Sequence, residues 1–265
     1  MGHQPKTAVG FVTSDGVPVP VVTADEMRRL DAQAERAGYR LEQMVEHAGR
    51  HLADLATALG AWPGGAPRTV VLAGSGGNAA GVLVAARHIA NAGGQVTAIL
   101  TTEPEDAGAA VSGQLGLLAL SGATALGPSA VIPADADLVL DGLVGYGLLA
   151  ALRGPHRKLV EQLHSDRGPR EALVLSLDIP SGLHPDQGRM FDPLVRPAGT
   201  MTVALPKQGL LDEIAGDIWL ADIGIPRGVF DLAGVEPPPR ALAAEGLMRL
   251  TRKYDASPDL RGDGE

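Results

Sequence analysis

The chain has 265 residues, 45% apolar and 3% aromatic, and its 22 Lys and Arg face 31 Asp and Glu for a net charge of −9. No Cys is present, so disulfides, thiolate catalysis and zinc–thiolate centres are excluded. No apolar run reaches the ~18 residues that a membrane helix needs, and no basic cluster offers a face for nucleic-acid phosphates, so neither a membrane nor a nucleic-acid partner is expected.

Residues 1–20 contain Gly and Pro and show no periodicity, which predicts a loose lead-in. The same stretch lacks the apolar core of a secretory signal, so a cytoplasmic location is the default expectation. Thr23 and Glu26 form a capping-box pattern at the start of a helix whose Met27, Leu30 and Ala34 share one face and which stops at Gly38. A second helix follows, with Leu41, Met44, Val45, Ala48, Leu52, Leu55 and Leu59 at helical spacing, closed by Pro63-Gly64-Gly65.

Beyond this point strand and helix patterns alternate. Strands are predicted over 69–73, 95–100, 137–141, 172–178, 200–204 and 217–221, and helices over 80–92, 106–121 and 150–164. Most of the strands are apolar on both faces, as in a buried parallel sheet. The expected fold class is α/β, a three-layer αβα Rossmann-like sandwich with a mostly parallel central sheet and helices on both faces. One domain over 21–235 is expected, then a tail over 236–265 opened by EPPPR. In that tail "ALAAEGLMRLTRKYD" is predicted as one helix and "ASPDLRGDGE" as frayed.

In such sheets ligands bind at the carboxyl ends of the strands. Three of those ends carry unusual residues: Gly74 to Gly81, Asp141 to Gly147, and Asp178-Ile179-Pro180-Ser181-Gly182. A parallel sheet brings them to one edge, around one crevice. The glycines expose N–H groups at a helix start, which favours an anion. Asn78, Asp141 and Ser181 offer one carboxylate and two neutral oxygens, a set that suits K⁺ better than Mg²⁺. Asp178, fixed at a strand end, is a candidate general acid/base. Each residue alone also has an ordinary role: the aspartates and Ser181 in turns, Asn78 as a helix cap, His47 and His88 as helix-surface residues. The joint placement carries the functional reading.

The stretches "TADEMRRLD", "MVEHAG", "LVAARHIANAGGQV", "LVLDGLVGYGL", "LDIPSGLHPDQG", "PAGTMTVALPKQGL" and "GDIWLADIGIP" occur in the order and spacing of a known family. Over about residues 22 to 228 the chain resembles the NAD(P)H-hydrate epimerase family, also called the YjeF N-terminal domain family. The resemblance implies interconversion of the R and S epimers of hydrated NADH or NADPH. It implies K⁺, one ion per subunit, held by Asn78, Asp141 and Ser181. It implies substrate-binding segments at Gly77, Asn78, Ala79, Ala80 and Gly81 and at Gly145, Tyr146, Gly147, Leu148, Leu149, Ala150 and Ala151. Asp178 falls on the family's substrate-contacting, catalytic aspartate, and Lys207 is a candidate contact. A homodimer is also implied, together with a separate ATP- or ADP-dependent dehydratase in the same pathway.

One departure stands out. Family members read G-x-G-N-N-G-G-D-G where this chain reads Gly74-Ser75-Gly76-Gly77-Asn78-Ala79-Ala80-Gly81-Val82. A side-chain amide and a carboxylate are lost, and two methyl groups are added where a nucleotide is expected to approach. The alternative reading is therefore a catalytically weakened or inactive binding module of the same fold. A Rossmann oxidoreductase fits poorly, because the third glycine of G-x-G-x-x-G falls on Ala79.

Overall fold

The computed structural model describes residues 8–60, 62 and 65–255. The first seven residues, Pro63-Gly64 and the stretch expected to fray after Asp255 lie outside the described residues. In chain order the elements are β1 (Ala8–Val12), β2 (Pro18–Val19), α1 (Ala24–Arg36), α2 (Leu41–Leu59), β3 (Arg68–Ala73), α3 (Gly77–Asn91), β4 (Gln95–Leu100) and α4 (Ala109–Leu120). They continue with β5 (Thr124–Leu126), β6 (Leu138–Gly142), α5 (Gly154–Leu163), β7 (Leu173–Leu177), β8 (Gly199–Val203), β9 (Asp217–Ala221), α6 (Arg227–Ala233), α7 (Arg240–Glu245) and β10 (Leu247–Tyr254).

All ten strands form one sheet in the order β2-β1-β10-β9-β8-β7-β6-β3-β4-β5. From β9 to β5 neighbouring strands are parallel, while β10, β1 and β2 extend one side in antiparallel fashion. The chain moves outward from β3 through β4 to β5, then returns to the other side of β3 and continues through β6, β7, β8 and β9. Right-handed crossovers that run in opposite directions lie on opposite faces of a sheet. Accordingly α3 and α4 pack on one face, in a core that also takes in α1, α2 and α6 around Leu52, Leu83, Leu100 and Leu140. On the other face α5 supplies Leu159, Val160 and Leu163 to a second core built on Val70, Leu72, Ile99 and Val139.

The capping box at α1 forms as expected, with Thr23 Oγ1 accepting from the Glu26 N–H at 3.2 Å and the Glu26 carboxylate accepting from the Thr23 N–H at 2.8 Å. Three expectations need correction. The lead-in is not loose where it is described: β1 and β2 belong to the sheet, and Phe11 is buried in a third core. Its partner β10 lies at the far end of the chain, so no local pattern marks it. The helix predicted across 241–255 stops at Gly246, whose φ of +75° breaks it. Leu247–Tyr254 then alternates, with Met248 and Leu250 buried and Arg249 and Thr251 exposed. Both β1 and β10 thus join the sheet across the boundaries drawn at 21 and 235. The helix expected from 150 begins only at Gly154, which leaves 143–153 irregular. The edge strand β5 was not anticipated.

Candidate active site

The return of the chain past β3 creates a switch point between β3 and β6, where successive connections leave in opposite directions and a crevice opens at the strand ends. A cleft of about 540 Å³ occupies that place, walled by α1, α2, the glycine turn 75–78, the loop 143–147 and the end of β7. The glycine turn lies tight against the β6 loop. The Gly74 N–H donates to the Gly142 carbonyl at 3.2 Å, and a Cβ at Gly74 would stand 2.0 Å from the Leu143 carbonyl oxygen. Asn78 Nδ2 donates to the Leu177 carbonyl at 2.7 Å, and a Cβ at Gly145 would meet the Asn78 amide at 2.8 Å. Three chain segments are therefore tied together, as the parallel sheet requires.

Asp178 sits at the end of β7 with φ of +69°, and the Ile179 N–H donates back to the Leu177 carbonyl at 2.9 Å. That is a γ-turn of the positive-φ kind, a strained conformation that Asp tolerates better than most residues. At the end of the neighbouring strand Ala204 repeats it, with φ of +60° and a Leu205 N–H to Val203 carbonyl bond of 2.7 Å. The two turns bring a carboxylate and a carbonyl to the same place. Lys207, 0% exposed, donates to Asp178 Oδ1, to the Val203 carbonyl at 3.0 Å and to Thr202 Oγ1 at 3.4 Å. Asp178, 1% exposed, also accepts the Tyr146 N–H on Oδ2 at 3.1 Å. Lys207 pairs with Oδ1, and one acceptor position on Oδ2 remains for a ligand in the cleft.

Asp141 and Ser181 lie beneath the cleft wall. Register pairs Asp141 with Ser176 on β7. The carboxylate accepts from Ser176 Oγ at 2.8 Å, the Ser181 N–H at 2.9 Å, Ser181 Oγ at 2.6 Å and the Leu143 N–H at 3.2 Å. Ser181 Oγ also accepts from the Val144 N–H at 3.0 Å. Burial pushes the Asp141 carboxyl above its ordinary range against these four hydrogen bonds. No Lys or Arg pairs with it among the described residues. A fully buried carboxylate bonded only to neutral donors, close to neutral oxygens, is an electrostatic setting that a weakly hydrated monovalent cation fits.

Helix α3 begins at Gly77, earlier than the sequence pattern indicated, and Gly76 gives it no side-chain cap. The N–H groups of Gly77, Asn78 and Ala79 have no intrahelical partner, and those of Gly77 and Asn78 border the cleft. The rest of the expected segment behaves otherwise. Ala79 and Ala80 are buried in the helical core and Gly81 abuts Leu177, so the added methyl groups pack inward and do not crowd the cleft. In the second segment Gly145, Tyr146 and Gly147 line the cleft. Leu148 is buried in the opposite core, while Leu149, at 71% exposure, and Ala150 and Ala151 lie away from the cleft lining.

Asp31 on α1 escaped the sequence reading. It lines the cleft and accepts the Tyr146 hydroxyl hydrogen on Oδ2. Its sequence signal was a carboxylate next to Leu30 on the buried face of an amphipathic helix. Burial raises the Asp31 carboxyl above its usual range, and burial together with the nearby Asp31 charge pushes the Tyr146 phenol well up. His156, from α5, lines the cleft with its imidazole pushed down by burial. Lys207, read as a contact, proves to be the counter-ion of Asp178.

No helix among the described residues is long and apolar enough to cross a membrane. A crystal structure titled yeast ynu0, YNL200c superimposes with a TM-score of 0.74 at 21% identity, covering 87% of this chain and all of that one, which bears on fold. The NAD(P)H-hydrate epimerase of Dehalogenimonas lykanthroporepellens is 39% identical over 246 residues, 92% of this chain and 98% of that protein. The bifunctional NAD(P)H-hydrate repair enzyme Nnr of Hyperthermus butylicus is 38% identical over 213 residues, and there the match spans 38% of the relative's length. The family model described as YjeF-related protein N-terminus matches residues 41–209, which run from the wall of the cleft through Asp141, Asp178 and Ser181 to Lys207. With the switch-point cleft, these likenesses lead to one conclusion: the chain belongs to the YjeF-related N-terminal family, the NAD(P)H-hydrate epimerases.

Proposed function

We propose that this protein is an NAD(P)H-hydrate epimerase that interconverts the R and S epimers of hydrated NADH and NADPH. The observation that carries the reading is the Asp178 carboxyl, locked by buried Lys207 at the floor of a cleft whose rim is the open N-terminus of α3. The free N–H groups and the positive end of the helix favour the substrate's diphosphate. The hydrated ring carries a hydroxyl on the carbon beside its nitrogen. Inverting that carbon breaks and remakes a bond there, by ring opening or by loss and return of water, and either route moves a proton on and off oxygen. Asp178 takes that proton through its remaining acceptor position.

Asn78, Asp141 and Ser181 are proposed as the K⁺ ligands, one ion per subunit. K⁺ supplies a positive charge that balances the buried Asp141 and fixes the loops, with no part in bond making. The remaining readings, a cytoplasmic homodimer whose product passes to a separate ATP- or ADP-dependent dehydratase, belong to the same proposal. The rival reading, a binding module that has lost catalysis, rests on the amide and carboxylate lost at Gly77 and Gly81 alone, because the methyl groups of Ala79 and Ala80 turn into the core. The test mixes purified protein and K⁺ with a single epimer of hydrated NADH and follows it by chromatography. Equilibration faster than the spontaneous rate is expected, and Asp178→Asn abolishes it; a parent no faster than buffer rejects the proposal.

A further inference from the structure

We infer that Asp31 is the proton-giving acid of this reaction, set against Asp178 as the base and held in place by the Tyr146 hydroxyl; the inference rests on the proposed epimerase activity. Tyr146 touches both carboxyl groups. Its backbone N–H donates to Asp178 Oδ2 at 3.1 Å, and its hydroxyl donates to Asp31 Oδ2. The two aspartates therefore stand one tyrosine's length apart on the same cleft. Asp31 Oδ1 makes no hydrogen bond among the described residues and is left to carry a proton.

The environments of the two carboxyl groups differ. Asp178 has a buried ammonium against it; Asp31 has a neutral phenol. Also facing Asp31 are the more distant Lys207 charge, Asp178 itself and Glu35 one turn along α1, with Arg28 over the Tyr146 ring at 6.0 Å and His156 on the cleft wall. Burial outweighs the phenol and the ammonium, so Asp31 holds its proton to higher pH than an ordinary carboxyl group. One carboxyl group against a neutral phenol and one against an ammonium, on the same cleft, divide into acid and base.

In the ring-opening route Asp178 takes the hydroxyl proton and the O–H electron pair becomes the second bond of a carbonyl. The bond from carbon to ring nitrogen breaks, and its electron pair takes the proton of Asp31. The freed aldehyde turns about its single bond, and both protons return as the ring closes on the other face. No oxidant, reductant or further reactant is consumed.

The test follows epimerisation of a single hydrated NADH epimer over a pH series with K⁺, corrected for the spontaneous rate. The parent should lose rate as pH rises through the raised Asp31 pKa. Asp31→Asn, which keeps size and an acceptor for Tyr146, should lower kcat by ~10²- to 10⁴-fold with little change in KM and erase that alkaline limb. Asp31→Glu should recover part of the rate. Tyr146→Phe removes a bond that lowers the Asp31 pKa, so its limb should move to higher pH. Asp31→Asn within threefold of the parent, or with the limb intact, overturns the inference and leaves the epimerase reading standing. A parent without turnover overturns both, and a carbon-13 titration showing Asp31 at an ordinary carboxyl pKa overturns the acid role whatever the activity.

Discussion

Replacing Lys207 by Met removes the one cation paired with Asp178 among the described residues and keeps a side chain of similar length. Lys207 is 0% exposed and Asp178 1% exposed, so the pair is buried beneath the cleft surface. At an effective dielectric of about 20, unit charges about 3 Å apart attract by about 5 kcal/mol. Breaking a buried pair by removing one partner costs about 3–5 kcal/mol, a large share of the ~5–15 kcal/mol that holds a domain together. The expected deficit for Lys207→Met, read from urea unfolding at neutral pH, is therefore about 3–5 kcal/mol. Asp178→Asn in the same background should restore about 2 kcal/mol or more relative to the sum of the single changes. A deficit below about 1 kcal/mol, or a strictly additive cycle, would refute the view that this buried pair is tightly coupled.

Exchanging K⁺ for Li⁺ should lower the thermal midpoint of the parent and leave that of Asp141→Asn unmoved; an equal response in both removes Asp141 from the ion site. Thr23→Ala should cost about 1 kcal/mol in urea unfolding through loss of the cap on α1. The Thr23 N–H holds the Glu26 carboxyl below its usual range, so Glu26 contributes stability that is present above its unfolded pKa and lost as the pH falls through the folded one. The deficit of Glu26→Gln should accordingly vanish in acid, and a deficit independent of pH would exclude that bond. Ala79→Gly and Ala80→Gly should each cost about 1 kcal/mol by calorimetry without tightening binding of ADP-ribose; tighter binding would return these residues to the site.

The sequence carried most of this architecture because the parallel strands write themselves as short apolar runs separated by helical spacing. Strands 69–73, 95–100 and 217–221 lie within or match the observed elements for that reason. It could not display β1 and β10, whose pairing joins opposite ends of the chain, nor the break at Gly246, since Leu247 and Leu250 also fit a helical spacing. At the site, the convergence of Asn78, Asp141, Asp178 and Ser181 followed from strand direction alone. What stayed hidden was side-chain partnership. Lys207 and Asp178 meet across a strand end, and Asp31 reaches the cleft from a helix formed before the first parallel strand. The apparent crowding by Ala79 and Ala80 was a question of direction: once α3 starts at Gly77, their methyl groups face the core.

The position of β10 also bears on how the molecule is made. β1 bonds to β10 on one side and to the two-residue β2 on the other, so the segment around Phe11 has no other route into the sheet. During synthesis the body from β3 to β9 can assemble as it emerges, while β1 waits for the last strand to leave the ribosome. A chain cut ahead of Leu247 would keep every residue assigned to the cleft, yet strand its own beginning and bare the flank of β9.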